Sequence, residues 1–309
     1  MMSQATTEKN YFDPKTLERI KRLDLRARLV VEGFLTGQHR SPYNGFAIEF
    51  AGHREYAFGD DLKHIDWKVW SKTDRLYIKE YEEETNLKST IILDCSKSMR
   101  YGEVDGWSKF DYGATAAASL AFMLQQQQDS VGLVTFSNKI EKNLKASSHP
   151  NHLKLMLHEL QNTSPEDKTD ISDIYIQLAG QIKTRGLVVL VSDLFLDMDS
   201  LQESLRQFRL RNHEVIVFHV MHDHELEFPF EDMTLFKGLE IDAQLHAEPR
   251  ALRQAYLDEV QSYMGQVKKM CSINGVDHVL VNTSRPLDAT LASYLTFRKK
   301  IKKNLLLRK

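Results

Sequence analysis

The chain is poor in the residues that define several specialised protein classes. Among its 309 residues there are only two cysteines, seven prolines and fourteen glycines. Two cysteines, Cys95 and Cys271, cannot form a disulfide framework, and their wide separation gives no zinc-binding spacing. Hydrophobic residues make up 42% of the chain and charged residues 27%. This composition excludes a collagen-like fibre and a wholly disordered chain, and it is typical of a globular protein.

Long apolar stretches are also missing from the sequence. No window approaches the roughly 18 uninterrupted apolar residues of a transmembrane helix. Residues 1–15 contain no apolar segment of the kind found in a signal peptide, and two unpaired thiols are typical of a reducing compartment. We therefore expect a cytoplasmic protein.

The chain carries no large charge of one sign, since 41 Lys and Arg face 43 Asp and Glu for a formal net charge of −2. This balance gives no argument for nucleic acid as a partner. Seven basic residues and no acidic ones fall between Arg298 and Lys309, so the rest of the chain is mildly acidic. A basic tail at 299–309 could touch an anionic membrane surface, although a solvated helix end is the commoner explanation for such a pattern.

Three segments differ in their patterning. Residues 15–36 have apolar residues at helical spacing and predict an amphipathic basic helix. Residues 37–86 are rich in turn residues and predict short strands with Trp67 and Trp70 as core anchors. We therefore predict an N-terminal module at 1–86, a larger domain at 87–298 and the basic tail at 299–309.

The larger domain shows alternating strand and helix patterns. Strands that are apolar on both faces, joined by helices, indicate a parallel sheet covered on both sides. We predict an α/β fold with a doubly wound, mostly parallel sheet. The predicted strands are 89–93, 131–136, 187–191, 214–220, 239–245 and 278–281, and the predicted helices are 109–127, 153–160, 173–182, 201–210, 251–270 and 287–298.

The most informative motif follows the first predicted strand. There the sequence reads Asp94-x-Ser96-x-Ser98, and ligand sites in open α/β sheets lie at this carboxyl edge. Thr169 precedes another predicted helix, and Asp193 directly follows a predicted strand. Carboxylate and hydroxyl oxygens suit a hard cation, so we expect these five residues to bind Mg²⁺, with Mn²⁺ or Ca²⁺ as alternatives, at an exposed edge of the sheet.

Other interpretations of these residues remain open. Each of the five could be a helix cap or a turn residue on its own. A metal-dependent hydrolase of phosphate or peptide substrates is the alternative function, although the motif offers no nucleophile with an adjacent base. His219, His222 and His224 could form a second metal cluster, but a polar loop after a strand explains them more simply. No glycine-rich phosphate-binding loop is present.

These residues carry a resemblance to a known family of domains. Asp94, Ser96, Ser98, Thr169 and Asp193 resemble the metal-ion-dependent adhesion site (MIDAS) of von Willebrand factor type A domains. The resemblance implies that five oxygen donors hold Mg²⁺ and that one open coordination position accepts a carboxylate from a partner protein.

The segment before this site narrows the resemblance. The strings G-Q-H-R-S-P at 37–42 and G-D-D-x-x-x-I-D-W at 59–67 resemble the domain of unknown function 58 family, whose members are often linked to MoxR-type AAA+ ATPases. The resemblance runs from about residue 15 to residue 298. It implies a non-enzymatic interaction module that works with such an ATPase in the chaperone-like assembly or activation of a client protein with an acidic side chain.

Overall fold

A computed structural model gives the fold of the chain. It describes residues 17, 20–38, 50–57, 65, 67–73, 75–81, 88–102, 107–165, 174–182, 184–196, 198–239 and 243–306. The chain divides into a larger unit, Met1–Phe34 with Leu87–Lys309, and a smaller unit, Leu35–Asn86. The first 34 residues, which the sequence analysis assigns to the N-terminal module, therefore group with the larger unit.

The described residues of the smaller unit include one pair of antiparallel strands and a short helix. Strand β1 (Phe50–Glu55) pairs with β2 (Tyr77–Tyr81), and helix α2 (Trp67–Thr73) lies between them in the chain. Trp67 and Trp70 contact each other edge to face at a centroid distance of 5.9 Å, because residues three apart share one face of a helix. They are 57% and 43% exposed, so the prediction that they anchor a core is wrong.

The larger unit is built on a six-stranded sheet. Its strands are β3 (Lys88–Asp94), β4 (Ser130–Phe136), β5 (Ile140–Ser147), β6 (Leu187–Ser192), β7 (Glu214–Met221) and β10 (Asp277–Asn282). Their order across the sheet is β10-β7-β6-β3-β4-β5. All neighbours are parallel except β4 and β5, which are antiparallel. The chain therefore starts in the middle of the sheet and winds out to both edges, and the predicted doubly wound, mostly parallel α/β fold is confirmed.

The other described helices lie before, between and after these strands. They are α1 (Leu23–Gln38), α3 (Lys109–Gln126), α4 (Pro150–Asn162), α5 (Ile174–Gln181), α6 (Met198–Leu210), α7 (Asp223–Glu227), α8 (Pro249–Ile273) and α9 (Leu287–Leu306). A single 3-10 turn, Lys97–Arg100, follows β3. Between α7 and α8 the chain forms a small antiparallel pair, β8 (Thr234–Lys237) and β9 (Gln244–Ala247).

The central strands are buried on both faces. On one face Leu93 and Val191 lie so close to Gly113 of α3 that a Cβ there would be 3.3 Å and 3.2 Å from their side chains. On the other face Ile92 packs in a core that includes Tyr175 of α5. Successive residues of a strand point to opposite faces, so each central strand contributes to two cores. The close approach at Gly113 fixes the start of α3 above the carboxyl ends of β3 and β6.

Three elements differ from the sequence analysis. The edge strand β5 was not predicted, because its residues are only exposed or half-buried and it lacks the continuous apolar run of the central strands. Residues 240–242 of the predicted strand 239–245 lie outside the described residues, and Gln244 begins a four-residue strand that pairs with Thr234–Lys237 outside the main sheet. Helix α9 continues through residue 306, into the predicted basic tail.

Candidate metal centre

The motif after β3 brings its oxygen atoms together at the carboxyl edge of the sheet. Asp94 ends β3, and its Oδ1 accepts a hydrogen bond from the Ser96 backbone N–H at 2.8 Å. The chain then turns through the 3-10 segment, which places the Ser96 and Ser98 hydroxyl oxygens 3.0 Å apart. Three of the five predicted ligands therefore cluster as the sequence analysis expects.

The neighbouring strand adds a hydroxyl that sequence reasoning did not select. Residues Leu93 and Val191 are paired in the β3/β6 register, so the ends of the two strands lie side by side. The Ser192 hydroxyl donates to Asp94 Oδ2 and lies 3.0 Å from the Tyr175 hydroxyl. It also accepts the Leu194 N–H at 2.9 Å. Ser192 therefore holds the Asp94 carboxylate in one orientation.

A buried lysine occupies the other side of the cluster. Lys109 is the first residue of α3, and its Nζ donates to Asp193 Oδ2 at 2.8 Å. The same Nζ donates to Glu225 Oε1 at 2.8 Å. The side chains of Lys109 and Asp193 are 2% and 1% exposed. Neither Lys109 nor Glu225 was predicted for the site, since both are far from the motif in sequence.

The pKa values of the two aspartates of the cluster are shifted in opposite directions. Burial, and then the charge of Asp193, raise the pKa of Asp94 to about 6. Burial alone would raise the pKa of Asp193 as well, but the charge of Lys109 and its hydrogen bond outweigh burial and lower it. A hydrogen bond from Ser98 lowers the pKa of Asp193 further. Asp94 is therefore an under-compensated carboxylate, whereas Asp193 is already paired.

The donor set fits a hard divalent cation. Among the described residues, Asp94, Asp193 and Glu225 bring three carboxylates to one ammonium, so these four groups sum to a charge of −2 when ionised. Carboxylate and hydroxyl oxygens are the ligands that Mg²⁺ prefers. Within the described part of the chain no three side chains of His, Cys, Asp or Glu form a metal-binding group, so a metal here would depend on the serine hydroxyls. Thr169 lies outside the described residues, and its part in the site stays a prediction.

The cluster is less accessible than the sequence analysis expects. Asp94, Ser96 and Asp193 are at most 2% exposed, and Ser98 is 7% exposed. The expectation of an exposed site is therefore wrong, because α3 places Lys109 against Asp193, and the segment after β7 adds Glu225 on the same ammonium. Phe195, two residues after Asp193, is by contrast 64% exposed.

The three histidines near the end of β7 do not form a metal-binding cluster within the described residues. His219 is buried in the sheet, where its Nδ1 lies 3.1 Å from His278 Nε2 of β10. His222 caps α7, with its Nδ1 accepting the His224 N–H at 3.1 Å. Burial, followed by the charge of His278, lowers the pKa of His219 to about 4. The simpler interpretation of this segment, as a strand end with a helix cap, agrees with these contacts.

The sheet order, with one antiparallel edge strand, and the oxygen cluster at the ends of its two central strands define a doubly wound α/β protein with a candidate metal centre. A model of the family described as "Protein of unknown function DUF58" matches residues 52–264. This match covers more than half of the chain, and the chain belongs to that family.

The relatives found by sequence and structure are distant. The uncharacterized proteins Rv1480 of Mycobacterium tuberculosis and Mb1516 of Mycobacterium bovis are each 23% identical over 294 residues, which is 93% of this chain and 91% of theirs. The crystal structure of BatB from Bacteroides thetaiotaomicron has 14% identity and a TM-score of 0.46, and the match covers 70% of this chain and 99% of that one. The SpRpn10 VWA domain has 14% identity and a TM-score of 0.39, with 67% and 94% covered.

The lengths and apolar content of the described helices show whether one of them could cross a bilayer. Among the described residues, no helix is both long enough and apolar enough to span a bilayer.

Proposed function

We propose that this protein is a non-enzymatic, Mg²⁺-dependent protein-interaction module. The observation that carries the proposal is the convergence of the Asp94, Ser96 and Ser98 oxygens beside Asp193, in a buried cluster whose described carboxylates outnumber its one ammonium. In this proposal those four residues, with Thr169, hold the ion. When bound, Mg²⁺ would supply an open coordination position for a carboxylate.

The partner in this proposal is a client protein that offers an Asp or Glu side chain. A carboxylate would bind the cation through a charge-assisted contact, and chelators would abolish it. The exposed ring of Phe195 supports docking next to the site, because aromatic side chains are enriched in the cores of protein interfaces. The low exposure of the ligands requires that the site opens when the partner binds.

The second partner in the proposal is a MoxR-type AAA+ ATPase. This part rests on the resemblance of the motifs at 37–42 and 59–67, and no contact within the described residues bears on it. The ATPase would supply the energy for remodelling, and the present chain would select the client. Cytoplasmic localisation and the absence of nucleic acid as a partner stay predictions, as does the alternative of membrane contact through the tail at 299–309.

Affinity capture in Mg²⁺ and in EDTA tests the proposal. The wild-type protein, immobilised and exposed to the candidate ATPase and the native lysate, should retain partners in Mg²⁺ and release them in EDTA. Asp94→Asn should retain none, because the amide cannot neutralise the cation. Asp258→Asn, an exposed acid on α8, is the matched control and should behave as wild type.

The outcome separates the proposed function from its alternatives. Capture that is equally strong in EDTA, or in the Asp94→Asn variant, would refute the metal-bridged mechanism. Mg²⁺-dependent turnover of a generic phosphatase or protease substrate by the purified protein would instead favour the metal-dependent hydrolase.

A further inference from the structure

Lys109 lies in a position that is unfavourable for a lysine unless the cluster requires its charge. It is the first residue of α3, where the partial positive charge of the helix N-terminus disfavours a cation. It is also 1% exposed, and burial of an ammonium group is costly unless the group is paired. Both local effects oppose a lysine here, so its stabilisation comes from the site itself.

The contacts of Lys109 supply that stabilisation. Its Nζ is 2.8 Å from Asp193 Oδ2 and 2.8 Å from Glu225 Oε1, and it lies 5.8 Å from the centroid of the Tyr101 ring. The charges of the two carboxylates outweigh burial and raise the pKa of Lys109 above its ordinary value. The ammonium is therefore a cation tethered inside the cluster.

The carboxylate that Lys109 binds is also a proposed metal ligand. Asp193 accepts from Lys109 and from Ser98, so an ion held by Ser98 and Asp193 would lie beside the ammonium. Two cations that share one carboxylate repel each other strongly in a buried site. Metal binding must therefore overcome the positive charge of Lys109.

Glu225 provides a second carboxylate with which the Lys109 ammonium can stay paired. Its Oε1 accepts from Lys109, while its Oε2 accepts the His222 backbone N–H at 2.8 Å as part of the cap of α7. This cap holds the Glu225 carboxylate in place independently of Asp193. The lysine can therefore release Asp193 and keep one of its two ion pairs.

From this arrangement we propose that Lys109 is an internal competitor of the metal, and that it sets the affinity of the site for divalent cations. With Lys109 on both carboxylates the site is closed and binds metal weakly. With Lys109 on Glu225 alone, Asp193 is available to the ion. This inference rests on the proposed metal site, and it makes Lys109 a residue that tunes the site without being a ligand.

Calorimetric titration with Mg²⁺ tests this inference without any partner protein. Lys109→Met keeps the length of the side chain and removes its charge, so we expect Mg²⁺ to bind at least about tenfold more tightly than to wild type. Lys88→Met removes the same charge at the opposite end of β3 and should leave the affinity unchanged, because the charge there is exposed and screened.

A second variant covers the case in which Lys109→Met does not fold. Glu225→Gln retains the ammonium and removes its alternative anchor, so Lys109 stays on Asp193. We expect Mg²⁺ to bind several-fold more weakly to this variant, and the increase in Tm on adding Mg²⁺ to shrink in parallel. A purely structural ion pair predicts lower Tm values in both variants but no change in metal affinity.

The outcomes distinguish this inference from the proposed function. If folded Lys109→Met binds Mg²⁺ no more tightly than wild type, the inference is wrong, and EDTA-sensitive partner capture would still support the function. If Lys109→Met binds Mg²⁺ tightly while partner capture ignores EDTA, the inference holds and the proposed function is wrong. If neither wild type nor any folded variant binds Mg²⁺ at millimolar concentration, both are refuted.

Discussion

Replacing Asp94 by Asn should stabilise the metal-free protein while removing its metal binding. The folded protein raises the pKa of Asp94 from 3.8 to about 6, so the ionised carboxylate is less stable in the fold than in the unfolded chain. About 1.4 kcal/mol per pKa unit gives a cost of roughly 3 kcal/mol at pH 7 and above. The isosteric amide keeps an oxygen to accept the Ser96 N–H and carries no charge.

The pH dependence of the difference follows from the same shift. A carboxyl group whose pKa is raised in the folded state favours folding when it is protonated. The stability of the wild type in EDTA should therefore fall, relative to Asp94→Asn, as the pH rises from about 4 through about 6. Urea unfolding followed by circular dichroism at a series of pH values measures this difference directly.

Mg²⁺ should reverse the order of the two proteins. Binding to the folded state alone adds about 4.1 kcal/mol at a metal concentration one thousand times the Kd. This exceeds the roughly 3 kcal/mol advantage of Asp94→Asn, and only the wild type should gain it. Asp193→Asn is the control for which we expect the opposite change in stability. It removes a partner of buried Lys109 and should destabilise the metal-free protein. If Asp94→Asn is destabilised in EDTA, or the two variants change stability in the same direction, the electrostatic argument is wrong.

Two further predictions concern groups next to the cluster. Ser192→Ala removes the hydroxyl that bonds Asp94 Oδ2, the Tyr175 hydroxyl and the Leu194 N–H, while Asp94 Oδ1 keeps the Ser96 N–H. It should lower the free energy of unfolding by about 2–4 kcal/mol. Ser119→Ala, which removes a single bond to a helix carbonyl, should cost about 1 kcal/mol, and equal losses in urea unfolding would contradict the network. The folded protein keeps His219 neutral down to about pH 4, whereas the unfolded chain protonates it near pH 6.5. The free energy of unfolding of the wild type should therefore fall by roughly 3 kcal/mol relative to His219→Gln between pH 7 and pH 4. Parallel pH curves for the two proteins would refute this.

The sequence predicts the central sheet well because its strands carry their own signal. The run at 187–191 is apolar throughout, and a strand buried on both faces needs that pattern. The edge strand Ile140–Ser147 is mostly polar and only exposed or half-buried, so it lacks the apolar run that indicates a strand. The pair Thr234–Lys237 and Gln244–Ala247 is short and lies outside the sheet, and patterns of four residues are too short to separate strand from loop.

The sequence predicts only those residues of the site that belong to a local motif. Asp94, Ser96 and Ser98 lie within five residues, and the turn after a strand brings their oxygens together. The contributions of Tyr175 and Glu225 depend on which helix crosses which strand end, and no local spacing encodes that. The helix predicted at 109–127 begins at Lys109 as expected, but nothing in its sequence pattern indicates that Lys109 points into the sheet edge.

This placement of one lysine explains why two similar aspartates differ. Asp94 and Asp193 each follow a buried apolar strand, and their strands are neighbours in the sheet. From sequence they are equivalent oxygen donors. Helix α3, pressed onto the strands at Gly113, brings its first residue to Asp193 and leaves Asp94 with neutral hydroxyl and amide partners. The cluster therefore contains one satisfied and one unsatisfied carboxylate, and a cation would be drawn to the side of Asp94 while Lys109 resists it at Asp193.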